Sequence, residues 1–352
     1  NPYMEKYRID GQVKLPFFLT PDKHYVGVAW YQKRVTVPDS WKGERVVLFL
    51  ERPHIETTVW INRQEVGMQN SLCVPHVYDL TSYVTPGKSY LVTIRVDNRI
   101  KEINVGPDSH SITDQTQGNW NGIVGKIELQ STPKVFFEDI QIYPDLAGKK
   151  ALVCMNVRAS SSVNGEITLS AKSFNTDVNH EIAPVYQTVT VRKGDNLFEM
   201  ELPMGQDFLI WDEFSPALYR LTATLKNGKQ IETKQIQFGM REFTINGKWF
   251  YINGRKTMLR GTVENCDFPL TGYAPMDVAS WERVFRICRS YGLNHMRFHS
   301  YCPPEAAFIA ADLVGFYLQP EGPSWPNHGP KLGNGQPIDK YLMDETIALT
   351  KA

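Results

Sequence analysis

Residues 259–323 repeat one pattern: a short apolar run that ends in polar or ionisable residues, followed by a longer stretch of helical period. The apolar runs are 257–261, 294–299 and 315–319, and the segments of 3.6-residue period are 281–291 and 304–313. Strand, polar tip, helix and next strand is the βα unit of a parallel sheet, where residues at the carboxyl ends of the strands face a shared site. The pattern therefore puts Glu264, Asn265, Asp267, Arg297, His299, Glu321 and Trp325 on one rim.

At 352 residues the chain exceeds one ordinary domain, and two or three are expected. Lys and Arg (38) balance Asp and Glu (38), and no basic run or basic amphipathic helix occurs. That balance speaks against nucleic acid or an anionic membrane surface as partner. No apolar run reaches the roughly 20 residues of a membrane span. Eight Trp and 16 Tyr suit the stacking of sugar rings, although all-β cores are also rich in aromatics. Cys73, Cys154, Cys266, Cys288 and Cys302 have no C-x-x-C spacing, so they read as reduced or buried thiols.

Upstream of the βα stretch the text is strand and turn. Runs at 30–37, 46–50, 57–61, 91–98 and 125–130, punctuated by Pro-Asp, Asn-Arg and Pro-Gly pairs, predict a jelly-roll-like β-sandwich over 1–133. From 134 to 238, alternation at period two in 136–143, 151–158, 165–173, 187–191, 197–202 and 219–226 predicts about seven strands of an immunoglobulin-like β-sandwich. Asn246-Gly247 and Asn253-Gly254 then mark a hairpin at the entrance of the third unit, 239–352.

Four phrases of the first unit, GVAWYQKRVTVP (27–38), TTVWINRQEVG (57–67), VYDLTSYV (77–84) and NWNGIVGKIEL (119–129), stand in the order seen in glycoside hydrolase family 2. The chain resembles that family, which contains β-galactosidases, β-glucuronidases and β-mannosidases. IWDEFSPALYRL (210–221) is similar to the phrase W-x-P-x-L-Y-x-L of the family's second domain, with altered spacing. FGMREF (238–243), an Asn-Gly and LRG (259–261) resemble the family's entrance to a catalytic (β/α)₈ TIM barrel. The resemblance thus implies a multidomain β plus α/β protein: two β-sandwiches and the first part of a barrel. Roughly 110 residues run from Arg241 to the end, against about 250 for a complete barrel, so about three strands of eight are expected.

The resemblance implies a retaining exo-β-glycosidase, β-galactosidase-like, acting on the ends of oligo- or polysaccharides. Retention requires two carboxyl groups about 5 Å apart, one a nucleophile and the other an acid and then a base. In the family the acid/base is a Glu after an Asn at the end of the fourth strand, and the nucleophile is a Glu at the end of the seventh. No Asn-Glu pair follows Pro323, so no catalytic pair is assigned and both glutamates are expected beyond residue 352. The alternative is a non-catalytic carbohydrate-binding protein. The βα text argues against it, because a binding module has no use for part of a barrel.

NHMRFHSYCPPEAAFIAADLVGFYL (294–318) is similar to the family's first signature, N-x-x-R then His and Tyr-Pro, with His299 one residue early and Cys302 inserted before Pro303. Arg297 can offer a planar fork to a carboxylate, and His299 can bond a sugar hydroxyl. Glu264 and Asp267 suit sugar hydroxyls. Two carboxylates are too few to call a divalent-cation site, and no cofactor is expected. Glu321 and Trp325 combine a hydroxyl acceptor with a stacking face. From the first unit, Asn119 is the candidate to reach the site. The expected partner is a carbohydrate, and apolar edges of an incomplete barrel invite homo-oligomers.

Overall fold

A computed structural model describes residues 8–9, 12–13, 25–99, 101, 122–268, 271–323 and 332–351. After a short antiparallel pair, β1 (Arg8–Ile9) and β2 (Gln12–Val13), seven strands build a β-sandwich. They are β3 (Val28–Thr36), β4 (Arg45–His54), β5 (Glu56–Ile61), β6 (Gln64–Asn70), β7 (His76–Asp79), β8 (Ser89–Asp97) and β9 (Gly122–Thr132). One antiparallel sheet runs β3-β8-β5-β6 and the other β7-β4-β9. Alternation puts Val46, Leu48 and Leu50 of β4 against Val59 and Ile61 of β5 and Val92, Ile94 and Val96 of β8. Each such buried aliphatic side chain contributes roughly 1.5–3 kcal/mol, and a one-residue slip would turn the whole set to water. The short strands β6 and β7 are not among the runs the sequence predicts; β7 is only four residues long.

A second sandwich comes next. Its strands are β10 (Val135–Asp145), β11 (Lys150–Ala159), β12 (Val163–Phe174), β13 (Glu181–Val191), β14 (Gly194–Pro203), β15 (Leu218–Asn227) and β16 (Gln230–Phe238). Three strands, β10-β11-β14, face four, β13-β12-β15-β16. Val153, Met155 and Val157 of β11 meet Ile167 and Leu169 of β12 and Leu221, Ala223 and Leu225 of β15, all buried. One carboxylate intrudes: Glu232 is 9% exposed and accepts from the Phe137 N–H at 2.8 Å. Burial pushes its carboxyl up to about 7.

Trp211 ties this sandwich to the third unit. The ring is buried, its Nε1 donates to the Asp312 carbonyl at 2.8 Å, and Tyr317 meets it edge-on at 5.8 Å. Arg241 lies 4.7 Å over its face. Gly239 is needed beside it, because a Cβ there would stand 2.7 Å from the Trp211 Cβ. The sequence phrase around Trp211 thus serves as a joint between units.

The third unit opens with a meander, β17 (Phe243–Asn246), β18 (Trp249–Ile252) and β19 (Arg255–Thr257). Its second turn has Asn253 and Gly254 both at positive φ (51° and 76°), the two-residue hairpin that Asn-Gly predicts. Then come β20 (Gly261–Glu264), α1 (Val278–Ser290), β21 (His295–Phe298), α2 (Glu305–Val314), β22 (Tyr317–Gln319) and α3 (Pro337–Lys351). Strands β20-β21-β22 are parallel and consecutive, so residues 261–319 are the predicted βαβαβ unit.

The first of these strands starts later than the sequence suggests, at Gly261 and not at Thr257. Residues 255–257 pair backward with β18 instead. The Asn294 side chain then bridges the gap, accepting from the Arg260 N–H (2.8 Å) and donating to the Met258 carbonyl (3.1 Å). Helix α1 begins at the N-cap Asp277, which accepts from the Ser280 N–H at 2.8 Å. It buries Trp281 and Phe285 against the sheet, where Phe285 stacks on Phe316 (4.9 Å) and Trp281 meets Phe298 edge-on (5.8 Å). Such aromatic pairs add about 0.5–1.5 kcal/mol each beyond area burial. Among the described residues no helix is long and apolar enough to cross a membrane.

Candidate active site at the strand tips

The carboxyl ends of the three parallel strands carry the polar residues that the sequence places there. Glu264 is the last residue of β20, Arg297 lies in β21 and Glu321 follows β22 by two residues. Arg297 faces Glu321 in a two-pronged ion pair: Nε contacts Oε1, and Nη2 donates to Oε2 at 3.1 Å. The Ser300 N–H donates to the same Oε2 at 2.9 Å, and the Glu321 N–H returns to the Tyr301 carbonyl at 3.2 Å. Glu321 therefore fastens the tip of β22 to the turn after β21. Burial alone would raise its carboxyl, but the guanidinium and the Ser300 N–H outweigh that and hold it below the usual range.

The sequence presents Arg297 and Glu321 as separate groups, Arg297 as a fork for an incoming carboxylate and Glu321 as a hydroxyl acceptor. The structure joins them. Their side chains remain partly open, 39% and 24% exposed, so the pair lies at the surface of the rim and not in the core.

His299 takes its place from β20. Its backbone N–H donates to the Glu264 carbonyl at 2.8 Å, and its Nδ1 lies 3.0 Å from the Asn265 Oδ1. An amide oxygen only accepts, so Nδ1 carries the proton and Nε2 is the acceptor nitrogen. Burial first, and then the Arg297 charge, lower the proton affinity of the ring, which keeps it neutral near pH 7.

Glu264 is the most perturbed acid on the rim. Desolvation pushes its carboxyl up to about 7, with the neighbouring Asp267 adding to the rise. Its Oε1 accepts from the Asp267 N–H at 3.2 Å, whereas its Oε2 is buried and has no hydrogen-bond partner among the described residues. An orphaned carboxyl oxygen in a dry site favours the protonated acid, which can donate. Asp267 is raised by burial as well. Among the described residues no group of three or more His, Cys, Asp or Glu side chains is arranged to hold a metal ion. Trp325 and Asn119 lie outside the described residues.

Arg52 is a residue that the sequence reading misses. Although on β4 of the first sandwich, it is buried and donates to the Pro303 carbonyl at 3.3 Å and to the Cys302 carbonyl, supporting the turn after β21 from below. Its signal is parity: Arg52 and His54 continue the inward positions of Leu48 and Leu50, where a charge is out of place.

Comparison with known proteins agrees with this architecture. The model for the sugar binding domain of glycosyl hydrolases family 2 matches residues 5–133, and that for glycosyl hydrolases family 2 matches residues 135–241. A beta-glucuronidase of Paenibacillus borealis is 24% identical over 318 residues, which cover 86% of this chain and 51% of the relative. A beta-galactosidase of Thermoanaerobacter pseudethanolicus is 25% identical over 338 residues, covering 94% of this chain and 44% of the relative. The chain thus spans about half the length of the curated relatives it matches. Among solved structures, a family 2 member from Bacteroides cellulosilyticus superposes with a TM-score of 0.76 at 20% identity, covering 93% of this chain and 43% of that one. Beta-glucuronidase 2 of Bacteroides uniformis, solved covalently bound to cyclophellitol-6-carboxylate aziridine, gives 0.75 at 20% identity, covering 92% and 39%. With two contiguous family matches, relatives collinear over most of the sequence and the same fold in solved neighbours, the chain belongs to glycoside hydrolase family 2.

Proposed function

We propose that this chain supplies the first three strand tips of a (β/α)₈ barrel in a retaining exo-β-glycosidase that acts on a neutral pyranose at the end of a saccharide. The units divide at 1–133, 134–238 and 239–352, a reading supported by three hydrophobic clusters, of which that of the third unit also takes in Ile55 and Leu72 of the first. The observation that carries the proposal is the Arg297–Glu321 pair at the carboxyl end of parallel strands, beside His299 and Glu264. There Glu321, fixed and ionised, accepts sugar hydroxyls on its remaining lone pairs. His299, fixed by Glu264 and Asn265, stands beside it on the same rim.

Arg297 also bears on which sugar is bound. A glucuronate carboxylate would need a cationic fork, and the fork of Arg297 is taken by Glu321. That removes Arg297 as the holder of a glucuronate carboxylate, and the galactoside-like sugar is carried by the family resemblance. The two carboxyl groups of the chemical step are assigned to no residue here: Glu321 is held in an ion pair and the Glu264 carboxyl is buried, its Oε2 out of reach of a ligand. The test is hydrolysis of nitrophenyl β-galactoside, β-glucuronide and β-mannoside by this 352-residue chain and by a longer protein that carries these residues together with a complete barrel. The longer protein should turn over the galactoside fastest and the chain alone should match background. Clear turnover by the chain, or a preference for the glucuronide, would overturn the assignment.

A further inference from the structure

The junction between the first sandwich and the βα unit is held by two reciprocal clamps. From the sandwich, Arg52 of β4 binds the Cys302 and Pro303 carbonyls in the turn after β21. From the other side, Glu345 of α3 is 3% exposed and accepts from the Leu72 and Cys73 N–H groups at 3.0 and 3.1 Å, in the loop between β6 and β7. These clamps bring together two cysteines that are 6% and 4% exposed, Cys73 and Cys302, and the Cys302 thiol donates to the Pro303 carbonyl at 3.4 Å. Both line one cavity of about 320 Å³, walled by Phe49, Met276 and Phe308 together with the charged Glu51, Arg52 and Glu305.

We propose that Cys73 and Cys302 form an oxidisable dithiol, a modification site at which a hydroperoxide closes a disulfide between the first sandwich and the rim turn of the βα unit. The cavity admits a molecule the size of hydrogen peroxide. The two thiols are unequal. The neighbouring Cys73 thiol and the Arg52 guanidinium lower the proton affinity of Cys302, whereas the neighbouring Cys302, burial and the Glu345 carboxylate raise that of Cys73. Cys302 is thus the attacking sulfur and Cys73 the resolving one. The Cys302 thiolate attacks one peroxide oxygen; the O–O bond breaks, giving a sulfenic acid and a hydroxide that takes up a proton. The Cys73 sulfur then attacks the Cys302 Sγ; an S–S bond forms, the S–O bond breaks, and the departing hydroxide leaves as water with the Cys73 proton. Two thiols and one peroxide give one disulfide and two waters. The bond would fix the turn that presents Ser300 to Glu321, so the oxidation state of the junction sets the stiffness of the rim.

The test treats the folded chain with a small excess of hydrogen peroxide and then counts thiols after denaturation. The count should fall from five to three, and non-reducing peptide mapping should find the Cys73 and Cys302 peptides joined, two hydrogens lighter than their sum. The Cys73→Ser variant should instead trap Cys302 as a sulfenic acid that dimedone labels. Oxidised wild-type protein should also melt at a higher temperature, and a reducing agent should reverse the rise. Peroxide that consumes Cys154 or Cys288 while the Cys73 and Cys302 peptides stay separate would overturn the proposal. Mapping of the wild type needs no variant to fold.

Discussion

The raised proton affinity of Glu264 makes stability depend on pH in a calculable way. In the folded chain its carboxyl titrates at about 7, against 4.5 for the free side chain. The folded state therefore binds the proton more tightly than the unfolded state, and stability falls as pH rises from 4.5 through 7 and then levels off. At 1.36 kcal/mol per pH unit, the cost relative to a neutral side chain is roughly 1 kcal/mol at pH 5 and roughly 3 kcal/mol at pH 8. Glu264→Gln keeps the shape and the acceptor for the Asp267 N–H but removes the charge. The stability gap between variant and wild type should thus widen in favour of the variant by about 2 kcal/mol from pH 5 to pH 8. Urea unfolding of both proteins at the two pH values measures this, because other titrating groups cancel in the difference. A gap that stays constant, or a variant that loses ground at pH 8, would refute the claim that a dry, ionisable carboxyl sits at the end of β20.

Three other side chains carry expected outcomes of their own. His76 is buried, its Nε2 on the Ser71 carbonyl (3.1 Å) and its Nδ1 on Thr57 (2.6 Å), and burial lowers it from 6.5 to about 4. The stability this gives is complete above 6.5 and is lost as pH falls towards 4, by about 3 kcal/mol in all, a loss that His76→Gln should abolish in paired acid titrations. Arg297→Met leaves Glu321 with the Ser300 N–H alone, but the pair is partly exposed, so the variant should lose only about 1 kcal/mol in urea unfolding. Arg297→Lys should restore only part of that, because an ammonium lacks the fork. Trp211→Phe removes the bond to the Asp312 carbonyl at a cost of about 1 kcal/mol, whereas Trp211→Ala also empties the joint and should cost about 3–5 kcal/mol. Limited proteolysis should then cut the alanine variant between the second sandwich and the meander, and cut the phenylalanine variant little.

Periodicity is a property of a few neighbouring residues, and it is what the sequence by itself determined. Strand alternation, the βα rhythm of residues 259–323, the Asn253-Gly254 turn and the rim set Glu264, Arg297, His299 and Glu321 were all legible, because backbone geometry sends side chains to a face by local rule. The start of β20 was not, since pairing of 255–257 with β18 and the bridging Asn294 side chain are choices between competing partners. Tertiary structure alone decided that Arg297 spends its fork on Glu321, that Glu264 loses water, and that Arg52 and Glu345 reach across a junction to bring Cys73 against Cys302. Ion pairing and desolvation depend on groups that lie tens to hundreds of positions apart in the chain. No window of local sequence holds both halves of such an interaction.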